Sequence, residues 1–586
     1  VSADLPSEGA AVRHGPLPGN PELADLFQRI ADYLALDGES AYRILAYEKA
    51  VALFRIHPVS VAEMALNGEL RTLPGVGQAI EGKVREYIDT GELALLTRLM
   101  ARYPEGLLAV MHLPGVGPKT ARKLWDQAGV SDVATLKQAC VDGHIRGLPG
   151  VGEKTERNLL RAVETWEART ARAPRTRRLL SEVEPQATRF VEYLRGLPQV
   201  VVADYAGSLR RRRSLVRDID LVVGSADAAT VMDAFAKLPE LSTIEERGET
   251  KLAAITHTGL GLDLRIVDPS SYGDLLQHFT GGAAHNVALR GYAQKRGFKI
   301  SEYGVEHVES GQVTRCASEE EVYGLLDLAY IEPELREDQG EIEAAAAGAL
   351  PVLIERSDLR GDLHVHSDWS DGRATMEAMA LGARAAGLDY ICFCDHSHSL
   401  TVRGGITEER LMAQIETVRE LDDRIDGIRI LAGTEVDILV DGRLDWPDEV
   451  LARLDFVTAS IHSGFTQPRE QIMKRLLGAM RNPFVRSIGH PTGRLLTRRE
   501  PYDVDLDELA AVAVETGTFL EVNASTDRLD LSAAAIRRVV ELGATLVVCS
   551  DAHHPDDFAN LRLAVGEARR GWLTAKRVAN TRPWPI

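Results

Sequence analysis

From Pro21 to about Ile56, apolar residues recur at helical spacing. The same period returns after each of three copies of Leu-Pro-Gly-Val-Gly, at Leu73–Gly77, Leu113–Gly117 and Leu148–Gly152. Ile80, Val84 and Ile88 form the apolar stripe after the first copy. Residues 1–20, rich in Gly, Pro and Ala, read as a loose tail. Farther on the period shortens. Val200–Ala203 is an apolar strand pattern broken at Gly207-Ser208, followed by a short basic helix. A strand at Ile219–Val223 comes next, opened by Asp218 and carrying Asp220. Leu252–His257 and Leu260–Val267 read as two strands joined at Thr258-Gly259. Residues 336–358 read as a linker, helical in EIEAAAAG and broken at Pro351. Beyond Gly361, short apolar strands alternate with helices: Tyr390–Cys394, Ile428–Ala432, Phe456–Ser460, Thr518–Val522 and Leu546–Cys549. That alternation predicts a parallel barrel.

A chain of 586 residues exceeds one core, so several domains are expected. Its net charge of −19 argues against a uniformly basic nucleic-acid binder. Most of that acidity falls after residue 335, so DNA binding earlier in the chain would rest on local clusters and backbone contacts. No stretch reads as a signal peptide or membrane span. Five cysteines without paired spacing point to a reducing cytoplasm.

The chemistry gathers in three places. In each LPGVG copy, paired glycines (Gly75 and Gly77, Gly115 and Gly117, Gly150 and Gly152) allow a tight hairpin. Backbone N–H groups at the start of the following helix can then bind a phosphate oxygen. One copy could be a helix cap and a turn; three copies, each opening a helix, read as a repeated backbone grip. Arg122, Lys123, Lys154 and Arg157 add charge nearby. The pattern resembles helix-hairpin-helix motifs, which hold DNA without reading its sequence.

The second place is Gly207–Gly224. Side chains alternate along a strand, so Asp218 and Asp220 share a face. Two carboxylates that close need a divalent cation, and oxygen ligands suit Mg²⁺ or Mn²⁺. Gly207 lets the backbone approach a phosphate, Ser208 offers a hydroxyl, and Arg210 and Arg211 can neutralise phosphate charge. Asp263, alone with Arg265 on its strand face, is the candidate third carboxylate. The set G-S-x-R-R, D-I-D and L-D-L-R, with HFTGGAAHN (His278–Asn286) and GFKISEY (Gly297–Tyr303), resembles the family X DNA polymerases, the group of DNA polymerase beta, over residues 21–335. The resemblance implies that Asp218, Asp220 and Asp263 hold two catalytic metals. It implies that Ser208, Arg211 and Arg172 contact a triphosphate, with Gly207 at its turn. Phe279 and Gly281 would lie against the nucleotide sugar and Asn286 near its base or phosphate. His278 stands where the family often has Tyr, and Gly282 where it often has Ser; both bear on sugar discrimination. Lys83 matches the family's Schiff-base lysine for a deoxyribose-phosphate lyase, with Tyr47 at a nearby tyrosine position. Ala79 replaces a second lysine there, and an ordinary exposed lysine is the other reading of Lys83.

The third place is the barrel, where candidate ligands stand at C-terminal strand ends. They are His364, His366, Asp371, His396 (beside Asp395), Glu435, His462, His490, Asp551 and His553. A single histidine near a strand is usually structural; this many at successive strand ends is not explained by packing. The set from Leu359 to about Arg577 resembles the PHP (polymerase and histidinol phosphatase) domain. That is a distorted seven-stranded barrel binding up to three metals, and it implies a phosphoesterase. Mixed imidazole and carboxylate ligands suit Mn²⁺, Zn²⁺ or Fe²⁺. An inert structural metal site is the alternative.

The expected organisation is multidomain α/β. After the tail come a helical domain with the first hairpin (21–99), a helical fingers-like domain (100–170), a nucleotidyltransferase palm (171–270), a thumb (271–335), the linker and the PHP barrel (359–586). The expected protein is a cytoplasmic, nucleoid-associated monomer. It would act on gapped or nicked DNA with deoxynucleoside triphosphates, adding a 3′-5′ exonuclease or abasic-site endonuclease in the barrel. The rivals are a DNA-end-binding scaffold with inactive sites, and a barrel that is a small-molecule phosphatase.

Overall fold

The structure is a computed structural model that describes residues 17–18, 20–56, 60–113, 116–148, 151–171, 177–496 and 499–586. The chain divides into two compact units, one ending at Pro174 and one beginning at Arg175.

The first unit is helical. The pattern expected from Pro21 to Ile56 forms two helices, α1 (Asn20–Asp37) and α2 (Ala41–Ile56). The break falls at Gly38, whose φ of 77° suits glycine and ends α1. Phe27 of α1 and Phe54 of α2 meet edge to face at 5.1 Å. The described residues of the three pentapeptides share one contact. The valine of each is buried, and its N–H donates to the carbonyl of the leading leucine, at 3.2 Å (Val76), 2.9 Å (Val116) and 2.9 Å (Val151). Helices α3 (Gln78–Thr90), α4 (Pro118–Ala128) and α5 (Glu153–Ala171) follow them. One core runs from Leu23 to Val163, so the segments expected as separate domains, 21–99 and 100–170, share their interior. Tyr103 and Arg122 fasten the join, Tyr103 Oη donating to Asp37 Oδ1 at 2.7 Å and Arg122 Nη1 to its carbonyl at 3.0 Å.

The second unit contains a five-stranded sheet in the order β1–β2–β5–β4–β3. Its strands are β1 (Val202–Tyr205), β2 (Asp218–Gly224), β3 (Leu241–Arg247), β4 (Lys251–Thr256) and β5 (Gly261–Val267). The hairpin at Thr258-Gly259 joins β4 to β5 as expected, and β2 lies parallel to β5 with Asp220 opposite Asp263. The sequence reading missed β3 because this edge strand is exposed nearly throughout and shows no alternation of burial. Between β1 and β2 the expected basic helix forms, α6 (Gly207–Arg210). Helices α7 (Tyr272–Thr280) and α8 (Ala283–Gln294) then lead to a small core around Leu289 and Tyr323.

Residues 336–358 differ from the expected linker. The helix in EIEAAAAG is present (Glu341–Ala346), but Ile342, Ala345 and Leu353 are buried in that same core. Arg336 is fully buried on Glu319, which also takes a two-pronged bond from Arg210 at 2.8 and 2.7 Å. Two arginines on one buried carboxylate make a fixed structural joint, because removing the carboxylate strands both cations.

Seven parallel strands, β6 to β12, follow in sequence order: Gly361–Val365, Tyr390–Phe393, Arg429–Asp437, Phe456–Ser460, Ser487–Ile488, Phe519–Asn523 and Leu546–Cys549. A bridge between Val365 and Ala552 brings the first and last strands together, so the sheet is a nearly closed barrel. The barrel does not stand apart from the palm. Leu529, from the loop after β11, and Leu563, on α9 (Leu561–Arg570), are buried in the palm core with Leu180, Phe190 and Leu209. Gly566 on α9 lies against Arg212, where an added Cβ would stand 2.9 Å from Nε. Arg212 and Arg562 both pair with Glu184. Among the described residues, no helix is long and apolar enough to cross a membrane.

Candidate active sites

In the palm, β2 and β5 carry the three aspartates. Gly207 has φ of 63°, and an added Cβ would fall 1.9 Å from Asp220 Oδ2. The turn is therefore glycine because it passes directly beneath the carboxylate. Burial, reinforced by Asp218 and Asp263, pushes the Asp220 carboxyl up to about 7. Arg217 Nε donates to Asp218 at 3.1 Å. A pocket beside the carboxylates is lined by Ser208, Arg211, Arg213, Phe279, Gly282 and Glu337, among others. Arg211 faces it, with Nε on Glu337 at 2.9 Å and Nη1 on the Thr280 carbonyl at 2.7 Å. Arg210 does not serve this pocket: Glu319 holds it in the buried joint.

Arg265 lies over the Phe279 ring at 5.3 Å. Asn286 fixes the hairpin before it, donating from Nδ2 to the carbonyls of His278 (2.7 Å) and Gly281 (3.2 Å). Gly281 is tied to Asn286, whose Oδ1 would stand 2.3 Å from an added Cβ. Gly282 is held by its N–H bond to the Arg336 carbonyl at 3.0 Å, and an added Cβ would lie 3.0 Å from that oxygen. Burial lowers His278, whose ring tilts against Phe279 at 5.5 Å.

In the helical unit, Gly75 has φ of 84°, while Gly77 and Gly117 cap α3 and α4 with nearly identical backbones (φ −98°, ψ 175° and φ −97°, ψ 175°). A Cβ at Gly77, Gly117 or Gly152 would meet nothing within 4 Å. Neither packing nor a left-handed backbone demands glycine at the first two, and packing does not at Gly152. The open approach is directed outward, where a phosphate can reach the helix start. Lys83 pairs with Glu86, which also accepts the Ala94 N–H at 2.6 Å, and Tyr47 is buried. Gly115, Gly150 and Arg172 lie outside the described residues.

The barrel gathers all nine expected ligands at the C-terminal ends of its strands. Atoms close enough to share an ion form three groups: His366, Asp371, His396 and His553; His364, His366 and Asp551; and His396, Glu435 and His462. Within each group they lie within 4.8 Å of one another, and among the described residues such groups occur only here. Glu435 is the hub. Its Oε2 lies 2.8 Å from His396, 3.5 Å from His364 and 3.7 Å from His366. Its Oε1 lies 3.3 Å from His462 and 2.9 Å from His490. His490 joins none of the three groups; its Nε2 is hydrogen-bonded to Glu435 Oε1. His490 and Asp551 have φ of 31° and 56°, backbone that L-residues adopt at a cost of order 1 kcal/mol or more.

The fit to metal rests on unsatisfied nitrogens. His364 Nε2, both ring nitrogens of His366 and His553 Nε2 are buried without a hydrogen-bond partner. Two of these rings are aimed from behind. Glu521 accepts from His364 Nδ1 at 2.7 Å, and the Asp551 carbonyl from His553 Nδ1 at 2.8 Å, leaving each Nε2 toward the centre. His366 is stacked on His553 at 4.3 Å. Burial, with His553 and His396 beside it, lowers His366 to about 4, so it is a neutral donor. Burial opposes charge on Glu435, Asp371 and Asp551, but the surrounding imidazoles outweigh it and hold all three well below the usual carboxylate range. The reverse pull of Glu435 and Asp371 lifts His396 to about 10 against its own burial.

Several residues that build this site escaped the sequence reading. Glu521 is 1% exposed and also accepts the His490 N–H at 2.6 Å; its signal was an acid inside an otherwise apolar strand. Asp437 accepts the His462 N–H at 3.2 Å, and Arg403 Nη1 donates to Asp371 at 2.9 Å. Asp395, noticed only as a neighbour, binds Ser367 and Gln414 and fixes the ligand loop.

Residues 18–93 match a helix-hairpin-helix domain family and 107–165 a SAM-like helix-hairpin-helix tandem. Residues 275–337 match the DNA polymerase beta thumb, and 362–525 the PHP domain. The chain is 38% identical, over 565 residues, to the DNA polymerase/3′-5′ exonuclease PolX of Bacillus subtilis (strain 168), covering 96% of this chain and 97% of that protein. A probable phosphatase of Thermoanaerobacter sp. (strain X514) is 29% identical over 232 residues, 38% of this chain and 89% of its own. One from Caldanaerobacter subterraneus subsp. tengcongensis is 32% identical over 204 residues, 33% of this chain and 75% of its own.

Proposed function

The chain belongs to the family X DNA polymerases that carry a C-terminal PHP domain, and from that premise we propose that it extends a primer 3′ end in short gaps and hydrolyses DNA phosphodiesters in its barrel. The observation that carries the polymerase reading is Asp220, in register with Asp263 above a Gly207 with no room for a β-carbon. Asp218, Asp220 and Asp263 would hold Mg²⁺ or Mn²⁺, which supplies neutralising charge for a triphosphate and acidifies a primer hydroxyl. Ser208, the turn at Gly207, and Arg211, with Arg172, would receive the triphosphate oxygens. Phe279 and Gly281 would bound the sugar, held in place by Asn286.

In the barrel, the nine ligands from His364 to His553 would hold up to three Mn²⁺, Zn²⁺ or Fe²⁺ ions, which supply an activated water and a clamp on phosphate. Glu521 orients His364, and Arg403 stands beside Asp371 as a cation for the scissile phosphate. The three hairpins, through Gly75, Gly77, Gly115, Gly117, Gly150 and Gly152, would track the DNA backbone. Gapped or nicked DNA and deoxynucleoside triphosphates are the proposed substrates of a monomer working at the nucleoid.

The test is primer extension on gapped DNA and 3′-end digestion, measured on one full-length preparation. D218A/D220A should lose only extension, and H364A/H366A only digestion. Cleavage of small phosphate monoesters without any cleavage of DNA would move the barrel to the phosphatase reading. A lyase role for Lys83 is tested by borohydride trapping on a 5′-deoxyribose-phosphate end. Trapping that survives in K83A removes it.

A further inference from the structure

The triphosphate pocket already holds an anion. Glu337 Oε1 accepts from Arg211 Nε at 2.9 Å, and its Oε2 from Arg213 Nη1 at 3.2 Å. A carboxylate spanning two guanidinium groups takes the place that two phosphate oxygens would take. It is not a loose side chain. Its backbone follows Arg336, which is fully buried on Glu319 and whose carbonyl is bound by the Gly282 N–H at 3.0 Å. Burial would push the Glu337 carboxyl up, but Arg211, Arg213 and Arg570 outweigh it, so it stays ionised. Arg570 belongs to α9 of the barrel, where Nη1 donates to Glu567 at 2.8 Å. The barrel therefore contributes charge to the surroundings of the polymerase pocket.

We propose that Glu337 is an internal counter-anion of the triphosphate subsite, occupying Arg211 and Arg213 before a nucleotide arrives and competing with its phosphate oxygens. This rests on reading the Ser208–Arg211 pocket as the nucleotide site. A triphosphate, with its several negative charges, displaces the carboxylate; a single orthophosphate ion does so poorly. The arginines are thereby kept paired and desolvated between turnovers, and the pocket selects for anions of high charge.

The experiment is steady-state filling of a one-nucleotide gap by the full-length protein. E337Q keeps a carbonyl oxygen for Arg211 but removes the charge. It should lower KM for the nucleotide about 3- to 10-fold, with kcat within about twofold, because the pocket becomes more positive. The inhibition constant of inorganic tripolyphosphate should fall in parallel, and that of orthophosphate should fall too. In an R211Q/R213Q background E337Q should change KM no further, which separates competition at these arginines from a general effect on folding. E337D, which keeps the charge but draws it back by one methylene, should give a KM between those of wild type and E337Q, and barrel digestion reports that each variant is folded. An unchanged or raised KM in E337Q, with R211Q alone raising KM, overturns the counter-anion and leaves the pocket standing. If R211Q also leaves KM unchanged, the nucleotide pocket itself is misplaced.

Discussion

The two metal centres handle charge in opposite ways. In the palm, like charges are kept together. Three aspartates line β2 and β5, four arginines follow one another from Arg210 to Arg213, and acids from elsewhere (Glu319, Glu337 and Glu184) balance the arginines. Asp220 is consequently driven toward its neutral form by burial and its own neighbours. In the barrel, opposite charges interleave: Glu435 alone lies within 3.7 Å of five histidines. The carboxylates there stay ionised because the surrounding imidazoles outweigh the cost of burying them. On the proposed reading, the palm would suit a ligand that brings both signs, a cation with a polyphosphate. The barrel is an assembled cluster of buried imidazole and carboxylate groups that could hold metal ions.

The largest test of this contrast is a crossed pair of variants. Asp263→Ala should reduce primer extension by about 10³-fold or more and leave 3′ digestion intact. His364→Ala/His366→Ala should do the reverse. If either variant lost both activities, the centres would not be independent. A second test uses the hub. Glu435→Gln should abolish digestion and, after dialysis against a chelator, leave the protein with less tightly bound transition metal than wild type by elemental analysis. Asp220→Asn should not change that residual metal. Retention of a full metal complement by Glu435→Gln would remove Glu435 from the centre of the site. Glu521→Gln is subtler. It touches no proposed metal position, yet it should weaken barrel metal affinity about 10- to 100-fold by freeing the His364 ring. Added Mn²⁺ should restore digestion; failure to restore it would mean that Glu521 acts otherwise.

On the palm side, Glu319→Ala strands Arg210 and Arg336 and should cost about 3–5 kcal/mol in chemical denaturation. Burial would raise Glu319, but the two arginines bring it down to about 2, from an ordinary 4.5. Its contribution should therefore be fully present above pH 4.5 and fade as pH falls through about 2. A wild-type acid unfolding curve unchanged by the substitution would contradict this. The smallest effect concerns a third kind of site, built on backbone N–H groups. Gly77→Val or Gly117→Val should weaken DNA binding several-fold while changing stability by about 1 kcal/mol or less, since a Cβ at either position meets nothing within 4 Å. The affinity should remain salt-sensitive and indifferent to sequence in titrations of several gapped duplexes.

What the sequence made legible follows the same contrast. D-I-D and the lone Asp263 could be paired because strand alternation is a local rule. Ligands at strand ends could be gathered because barrel topology places those ends together. Arg210 misled, since its partner Glu319 lies 109 residues away and nothing local distinguishes a structural arginine from a phosphate-binding one. The linker reading failed for the same reason: EIEAAAAG looks solvent-ready until Ile342 and Ala345 find a core built from Leu289 and Tyr323. Glu521 and Asp437 were hidden because residues that orient a ligand carry no spacing of their own. The long helix from Pro21 was divided by a single glycine whose backbone angle periodicity does not record.

Leu529 and Leu563 close the palm from the barrel side. A chain cut before residue 359 would leave an oily socket open to water, and the severed barrel would present two greasy pegs with nothing to receive them. A lineage or an engineer wishing to silence hydrolysis has therefore to swap ligands one by one, while the barrel stays on as masonry. Duty and scaffolding are inherited together, and only the former can be discarded cheaply.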